Sequence, residues 1–202
     1  MIAVIDYGVG NLFSLTSSLK YIGADVKITS DAADLKAADK IILPGVGAFE
    51  DAIGKLRATG LVETLNEEVK KGKPLMGICL GMQLLFDRSF EYGEFEGLGY
   101  IKGDIVYMKG RVDESLKVPQ MGWNSLNIKK DDILTKYIKE GDYVYFVHGY
   151  YATDCEESIV ASTDYSVEVP AIVRSGNVCG TQFHPEKSGE VGMGILKAFN
   201  EA

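Results

Sequence analysis

A thiol, an imidazole and a carboxylate are the groups in this sequence whose surroundings best suit covalent chemistry. Cys79 stands in Gly77-Ile78-Cys79-Leu80-Gly81, between the apolar run Pro74-Leu75-Met76 and the helical-looking Met82-Gln83-Leu84-Leu85-Phe86. A glycine two residues to either side lets the backbone turn from strand to helix tightly enough to hold a nucleophile clear of a sheet. At a helix start, the thiol would meet unpaired amides that favour a thiolate and can bind an oxyanion. A buried core cysteine beside packing glycines is the other reading of this stretch taken alone. Two histidines are available as its base, His148 and His184. His184, in Phe183-His184-Pro185-Glu186, precedes a proline that biases it to extended backbone. Glu186, two positions on, can then project to the same side and fix the imidazole tautomer. His148, in Phe146-Val147-His148-Gly149-Tyr150, has no such carboxylate, which leaves it a structural or substrate-lining role. Gln83 lies one helical turn after Cys79 and could hold a polar group of a substrate.

These groups need elements to position them. The apolar run 2–5 ends in Asp6-Tyr7-Gly8-Val9-Gly10-Asn11, after which Leu12, Leu15, Leu19 and Ile22 recur at helical spacing. That is strand, glycine turn and amphipathic helix. Further strands are expected at 25–28 and 40–43, the second running into Pro44-Gly45-Val46-Gly47. Two glycines at a strand end allow backbone amides to point into a cleft, as one half of an oxyanion hole does. Helices follow over 48–57 and 61–71, then the strand 75–78 that carries the elbow and a helix beyond it. From Gly93 the chain becomes β-rich, with short runs at 101–108, 143–147, 158–162, 171–174 and 178–183. Among them Lys117-Val118-Pro119-Gln120-Met121-Gly122-Trp123-Asn124 is loop-like and holds the single tryptophan, a residue suited to packing or to an interface. Val191, Ile195 and Phe199 give a closing helix with Ser188 as its expected N-cap. Short strands alternating with helices predict an α/β fold.

Composition narrows the function. At 202 residues, with 46% hydrophobic and 25% charged, one soluble globular domain spanning 1–202 is expected. A net charge of -8 without a cluster of lysines and arginines argues against nucleic-acid binding. The opening apolar run lacks a basic n-region and is too short for a signal peptide or membrane span, so a cytoplasmic protein with no membrane partner is expected. Cys79, Cys155 and Cys179 are an odd set with no C-x-x-C, which suggests neither a disulfide framework nor a zinc site. Cys155 and Cys179 read as structural or incidental thiols.

Taken together, Pro44-Gly45-Val46-Gly47, Gly77-Ile78-Cys79-Leu80-Gly81-Met82-Gln83 and Phe183-His184-Pro185-Glu186 resemble, in content and order, the class I, or triad, glutamine amidotransferases. Within that family, Asp6 to Leu12, Pro119 to Asn124 and Phe146 to Tyr151 look like the glutaminase subunits of imidazole glycerol phosphate synthases. The resemblance implies a three-layer, flavodoxin-like open sheet with mostly parallel central strands and an added antiparallel, β-rich part in the C-terminal half. It implies hydrolysis of glutamine to glutamate and ammonia by Cys79, His184 and Glu186, with no cofactor and no metal. The Leu80 amide and an amide of Gly45, Val46 or Gly47 would hold the oxyanion. Gln83 and the backbone around His148, Gly149 and Tyr150 would grip the amino-acid end of glutamine.

A partner is implied as well: a (β/α)8-barrel cyclase subunit that takes up ammonia and makes imidazole glycerol phosphate and an aminoimidazole carboxamide ribotide in histidine biosynthesis. Asn11, Trp123, Tyr145 and Lys187 match positions at or near the docking face of that heterodimer. Gly149 departs from the family, which more often has Ser or Thr there; a backbone contact could survive, a hydroxyl contact could not. Two alternatives stay open. One is the glutaminase of another synthase, such as that of the pyridoxal phosphate pathway. The other is a cysteine hydrolase or peptidase on a related sheet, which Gln83 and the His-x-Glu spacing disfavour.

Overall fold

The computed structural model describes residues 1–202. Strand β1 (Ile2–Ile5) is buried along its whole length and leads through the glycine turn into helix α1 (Leu12–Tyr21). Asn11 starts that helix, its side-chain oxygen accepting from the Ser14 amide at 3.3 Å. Then come β2 (Val26–Thr29), α2 (Ala32–Ala37), β3 (Lys40–Leu43), α3 (Phe49–Ala58) and α4 (Leu61–Lys70). Strand β4 (Leu75–Ile78) delivers the chain to Cys79 and to α5 (Leu80–Gln83). The helix expected beyond Cys79 is therefore a single turn. Phe86, placed in that helix by its apolar neighbours, opens strand β5 (Phe86–Ser89) and pairs with Ile101. An apolar run buried on every side, as 81–86 is, carries no periodicity to separate helix from strand.

The second half contributes β6 (Phe95–Glu96), β7 (Ile101–Tyr107), β8 (Gln120–Ser125), β9 (Asn127–Ile128), β10 (Tyr143–His148), β11 (Tyr150–Thr153), β12 (Ile159–Asp164), β13 (Glu168–Ser175) and β14 (Val178–Thr181). Helix α6 (Gly189–Glu201) closes the chain. Two expectations need correcting here. The loop-like stretch around Trp123 is strand β8, held antiparallel to β10 in a register that pairs Gln120 with His148 and Trp123 with Tyr145. Its glycine and polar residues hide the alternation, and its partner lies about twenty residues downstream. Ser188 precedes α6 but makes no side-chain cap bond. Instead its Oγ donates to the His184 carbonyl at 2.6 Å and accepts from the Tyr145 amide at 3.0 Å, so it fastens the segment after β14 to β10.

The main sheet has the order β2-β1-β3-β4-β14-β13-β12-β9. Strands β2 to β14 in that order run parallel, and the last three antiparallel. Alternate residues of β1 point to opposite faces and mark the two outer layers. Ala3 and Ile5 pack with Leu35 of α2, Phe49 and Leu56 of α3 and Leu65 of α4, while Ile2 and Val4 pack with Leu15 and Leu19 of α1 and Ile195 and Phe199 of α6. This is the three-layer arrangement, with two smaller sheets beside it, β10-β8 and β11-β7-β5-β6. No helix is long and apolar enough to cross a membrane. Because β1, β3, β4 and β14 are parallel, the turns that follow them emerge along one edge, where open α/β sheets form clefts. Those turns carry Tyr7, the 44–47 segment, Cys79 and His184.

Candidate active site

Cys79 sits in a sharp strand-to-helix turn with φ 54° and ψ -112°, a backbone conformation that costs a non-glycine residue about 1–3 kcal/mol. The neighbours hold it there. Its amide donates to the Thr181 carbonyl at 2.7 Å, and its carbonyl accepts from the Gln83 amide at 3.1 Å. The flanking glycines are required by space: a Cβ on Gly81 would lie 1.9 Å from the Leu43 carbonyl oxygen, and one on Gly77 2.6 Å from the Gly81 oxygen. Leu80 is the first residue of α5, and the amide of a first helical residue has no intrahelical acceptor.

His184 follows β14 and reaches the same edge. Its amide donates to the Tyr145 carbonyl at 3.1 Å, its own carbonyl is held by Ser188, and its Nδ1 lies 2.8 Å from Glu186 Oε1. The Glu186 side chain is only 3% exposed. With Nδ1 engaged, Nε2 is the nitrogen left to meet Cys79. Burial of the imidazole opposes its charge, but hydrogen bonds to Cys79 and Glu186 outweigh this and raise its pKa to about 9. His148 behaves differently. Burial lowers it to about 4 despite a bond from Nδ1 to the Tyr150 carbonyl at 2.8 Å, so it is a neutral imidazole at pH 7. Between the two histidines, His184 alone has both the thiol and a carboxylate as neighbours.

A cavity of about 230 Å³ opens over Cys79 and His184. Val46, Gly47, Leu80, Gln83, His148, Gly149 and Tyr150, all singled out in the sequence, line it, as does Lys187. Gly45 does not; it packs behind, where a Cβ would come within 2.6 Å of the Gly81 amide nitrogen. The backbone amides of Gly45, Val46 and Gly47 donate to no group in the molecule. Gln83 is fixed in orientation: its Nε2 donates to the Tyr150 carbonyl and to Gln182 Oε1, both at 3.0 Å, leaving its own oxygen as the free acceptor.

Two residues of this site escape the sequence reading. Gln182, fully buried, has its Nε2 3.9 Å from Cys79 Sγ and links the thiol to Gln83. The signal was present, since a residue two before His184 on an extended segment shares its side. Glu91 lines the cavity from the turn after β5, accepts from the Phe49 amide at 2.7 Å, and has its pKa raised by burial. No local pattern connects it with Cys79.

Of the four docking candidates, Trp123 and Tyr145 are brought together edge to face with ring centroids 6.0 Å apart, and Trp123 is 53% exposed. Alternation puts Tyr145 and Val147 of β10 on one face with Met121 and Trp123 of β8, and Val147 reaches the cavity. Lys187 is exposed at the cavity rim. Asn11 is half-buried and does not line the cavity.

The family model for class-I glutamine amidotransferases matches residues 3–201. The chain belongs to the class-I glutamine amidotransferases. Similar members include a protein of Caldanaerobacter subterraneus subsp. tengcongensis named imidazole glycerol phosphate synthase subunit HisH, 55% identical over 203 residues that cover all of this chain and 98% of the relative. A protein of the same name from Listeria monocytogenes serovar 1/2a is 49% identical over all of this chain and 95% of its own length. The architecture of this amidotransferase also matches solved structures. One glutamine amidotransferase superposes with a TM-score of 0.77 over 98% of this chain and 99% of its own at 18% identity. PurLQS from Thermotoga maritima superposes with a TM-score of 0.74 at 23% identity, covering 98% of this chain and 96% of its own.

Proposed function

We propose that this amidotransferase is the glutaminase subunit of an imidazole glycerol phosphate synthase, and that it hydrolyses glutamine to glutamate and ammonia through Cys79, His184 and Glu186. The observation that carries the reading is that Cys79 and His184 line one cavity while a buried Glu186 carboxylate holds His184 Nδ1 at 2.8 Å from behind. His184 takes the Cys79 thiol proton, and the thiolate Sγ attacks the side-chain amide carbon of glutamine, forming a carbon–sulfur bond and an oxyanion. The Leu80 amide and an amide of the Gly45, Val46 and Gly47 segment receive that charge, a contribution typically worth about 100- to 1,000-fold in turnover. His184, held as imidazolium near neutral pH, gives its proton to the departing nitrogen, and ammonia leaves. The same imidazole, now neutral, takes a proton from the water that cleaves the thioester and releases glutamate. Glu186 keeps the ring oriented throughout.

The cavity walls suit the amino-acid end of the substrate. Glu91 offers a carboxylate to the α-ammonium, and the free oxygen of Gln83 accepts a further N–H. His148, Gly149 and Tyr150 supply further wall, Tyr150 beside Gln83. Ammonia would pass to a (β/α)8-barrel cyclase seated on the face made by Trp123, Tyr145 and Met121, since Val147 joins that face to the cavity. Lys187 at the rim and Asn11 at the start of α1 are the remaining docking candidates.

The test separates the two half-reactions in the assembled complex. Cys79→Ala should abolish synthesis from glutamine and leave synthesis from added ammonium salt intact. Loss of both, or survival of glutamine use, contradicts the reading.

A further inference from the structure

The 45–47 segment hangs between two side chains that lie outside the proposed triad. At its start, the Pro44 carbonyl accepts a buried hydrogen bond from Tyr7 Oη at 2.7 Å. At its end, the Phe49 amide donates to Glu91. Between these pins, Gly45, Val46 and Gly47 make no hydrogen bond to the rest of the molecule, so their amides are placed by the pins and by packing alone. Tyr7 is 5% exposed and does not line the cavity. Burial, followed by the neighbouring Cys79 and Asp51, raises its pKa far above the usual phenol value, so the hydroxyl remains a donor.

Packing joins this bond to the nucleophile. A Cβ on Gly45 would lie 3.0 Å from Tyr7 Oη, 3.0 Å from Leu80 Cβ and 2.6 Å from the Gly81 amide nitrogen. The Gly45 peptide is thus sandwiched between the phenol and the first turn of α5. On the other flank, Gly10, at φ 122°, approaches so closely that a Cβ would sit 3.1 Å from the Pro44 ring. A shift of the Pro44 carbonyl therefore moves the following amides relative to Cys79.

We propose that Tyr7 is a positioning residue of the glutaminase reaction: its hydroxyl fixes the Pro44 carbonyl and, through it, the Gly45 to Gly47 amides that receive the oxyanion. The inference rests on the glutaminase reading above. An oxyanion donor acts at about 2.7–3.1 Å from the developing charge, so a small displacement of the segment costs rate without altering substrate contacts.

Tyr7→Phe removes the hydroxyl and keeps the ring. In the assembled complex, kcat for glutamine should fall about 10- to 100-fold while KM stays within about twofold. Alkylation of Cys79 by iodoacetamide displaces iodide and builds no tetrahedral oxyanion, so its rate should stay within about twofold of the parent. Synthesis from added ammonium salt should be unaffected. Para-aminophenylalanine at position 7 restores a donor and should recover most of the lost kcat, whereas para-methylphenylalanine should not. That pair makes the same comparison if Tyr7→Phe fails to fold. Parental kcat in Tyr7→Phe, a parallel fall in alkylation and turnover, or a change in KM alone would overturn the inference. Failure of the glutaminase reading registers separately, as glutamine turnover that survives Cys79→Ala.

Discussion

Replacement of Glu186 by Gln tests how the charge on His184 is maintained. Glu186 Oε1 lies 2.8 Å from Nδ1, and both side chains are 3% exposed. The rise of the imidazole from 6.5 to about 9 corresponds to about 3 kcal/mol in favour of imidazolium, net of the burial that opposes it. Cys79 and Glu186 share that contribution. A glutamine can still accept the Nδ1 proton, so the tautomer survives, but the charge-assisted part of the bond, roughly 1.5–3 kcal/mol, is lost. A loss of that size leaves His184 about half protonated or more near pH 7 but scarcely protonated near pH 10. Because His184 must protonate the leaving nitrogen, kcat should change by no more than about twofold near neutral pH and fall about 10- to 100-fold near pH 10, with KM unchanged since Glu186 does not line the cavity. The alkaline limb of the rate profile should move toward lower pH, because His184 then loses its proton earlier. Steady-state glutamate release by the assembled complex, measured between about pH 6 and pH 10, reads both effects. A kcat near pH 10 within about threefold of the parent and an unmoved alkaline limb would refute the reasoning.

Three further outcomes are expected. His184 has a folded-state pKa above its unfolded value, so its contribution to stability is fully present below 6.5 and disappears as pH rises through about 9. Urea midpoints should fall more steeply over that window for the parent than for His184→Ala, and identical slopes would count against the ion pair. Gly81→Ala would drive a Cβ into the Leu43 carbonyl and should cost more than about 2 kcal/mol in urea denaturation, whereas Gly54→Ala, in open space on α3, should stabilise by about 0.5–1 kcal/mol. Trp123→Ala should weaken binding of the cyclase partner about 10- to 100-fold in titration calorimetry while leaving the isolated chain folded; unchanged affinity would remove Trp123 from the docking face.

The elbow and the His-x-Glu pair were legible because each depends on a local constraint that a sequence can express. Only glycine fits at Gly77 and Gly81, and a proline after His184 holds the backbone extended. Four of the five parallel strands, β1, β3, β4 and β14, were legible for a similar reason: each is a short, mainly apolar, buried run ended by a glycine, proline or polar residue. What escaped depends on distant partners. Gln120–Ser125 is a strand only because β10 lies beside it, and Glu91 belongs to the site only because β5 returns the chain to the cavity. Ser188 looked like a cap from its place before α6, yet its hydroxyl serves His184 and Tyr145. The length of α5 was misjudged because full burial erases periodicity, and Tyr7 was passed over because its acceptor is a backbone carbonyl that no side-chain pattern announces.

The central claim, a thioester on Cys79, has one direct measurement. The assembled complex, mixed with glutamine and quenched in acid during turnover, is digested and its cysteine peptides weighed by mass spectrometry. The account predicts a glutamyl adduct on Cys79 and on neither Cys155 nor Cys179, whose buried thiols are pushed up to about 12. An unmodified Cys79 throughout steady turnover, or an adduct on another residue, would contradict it.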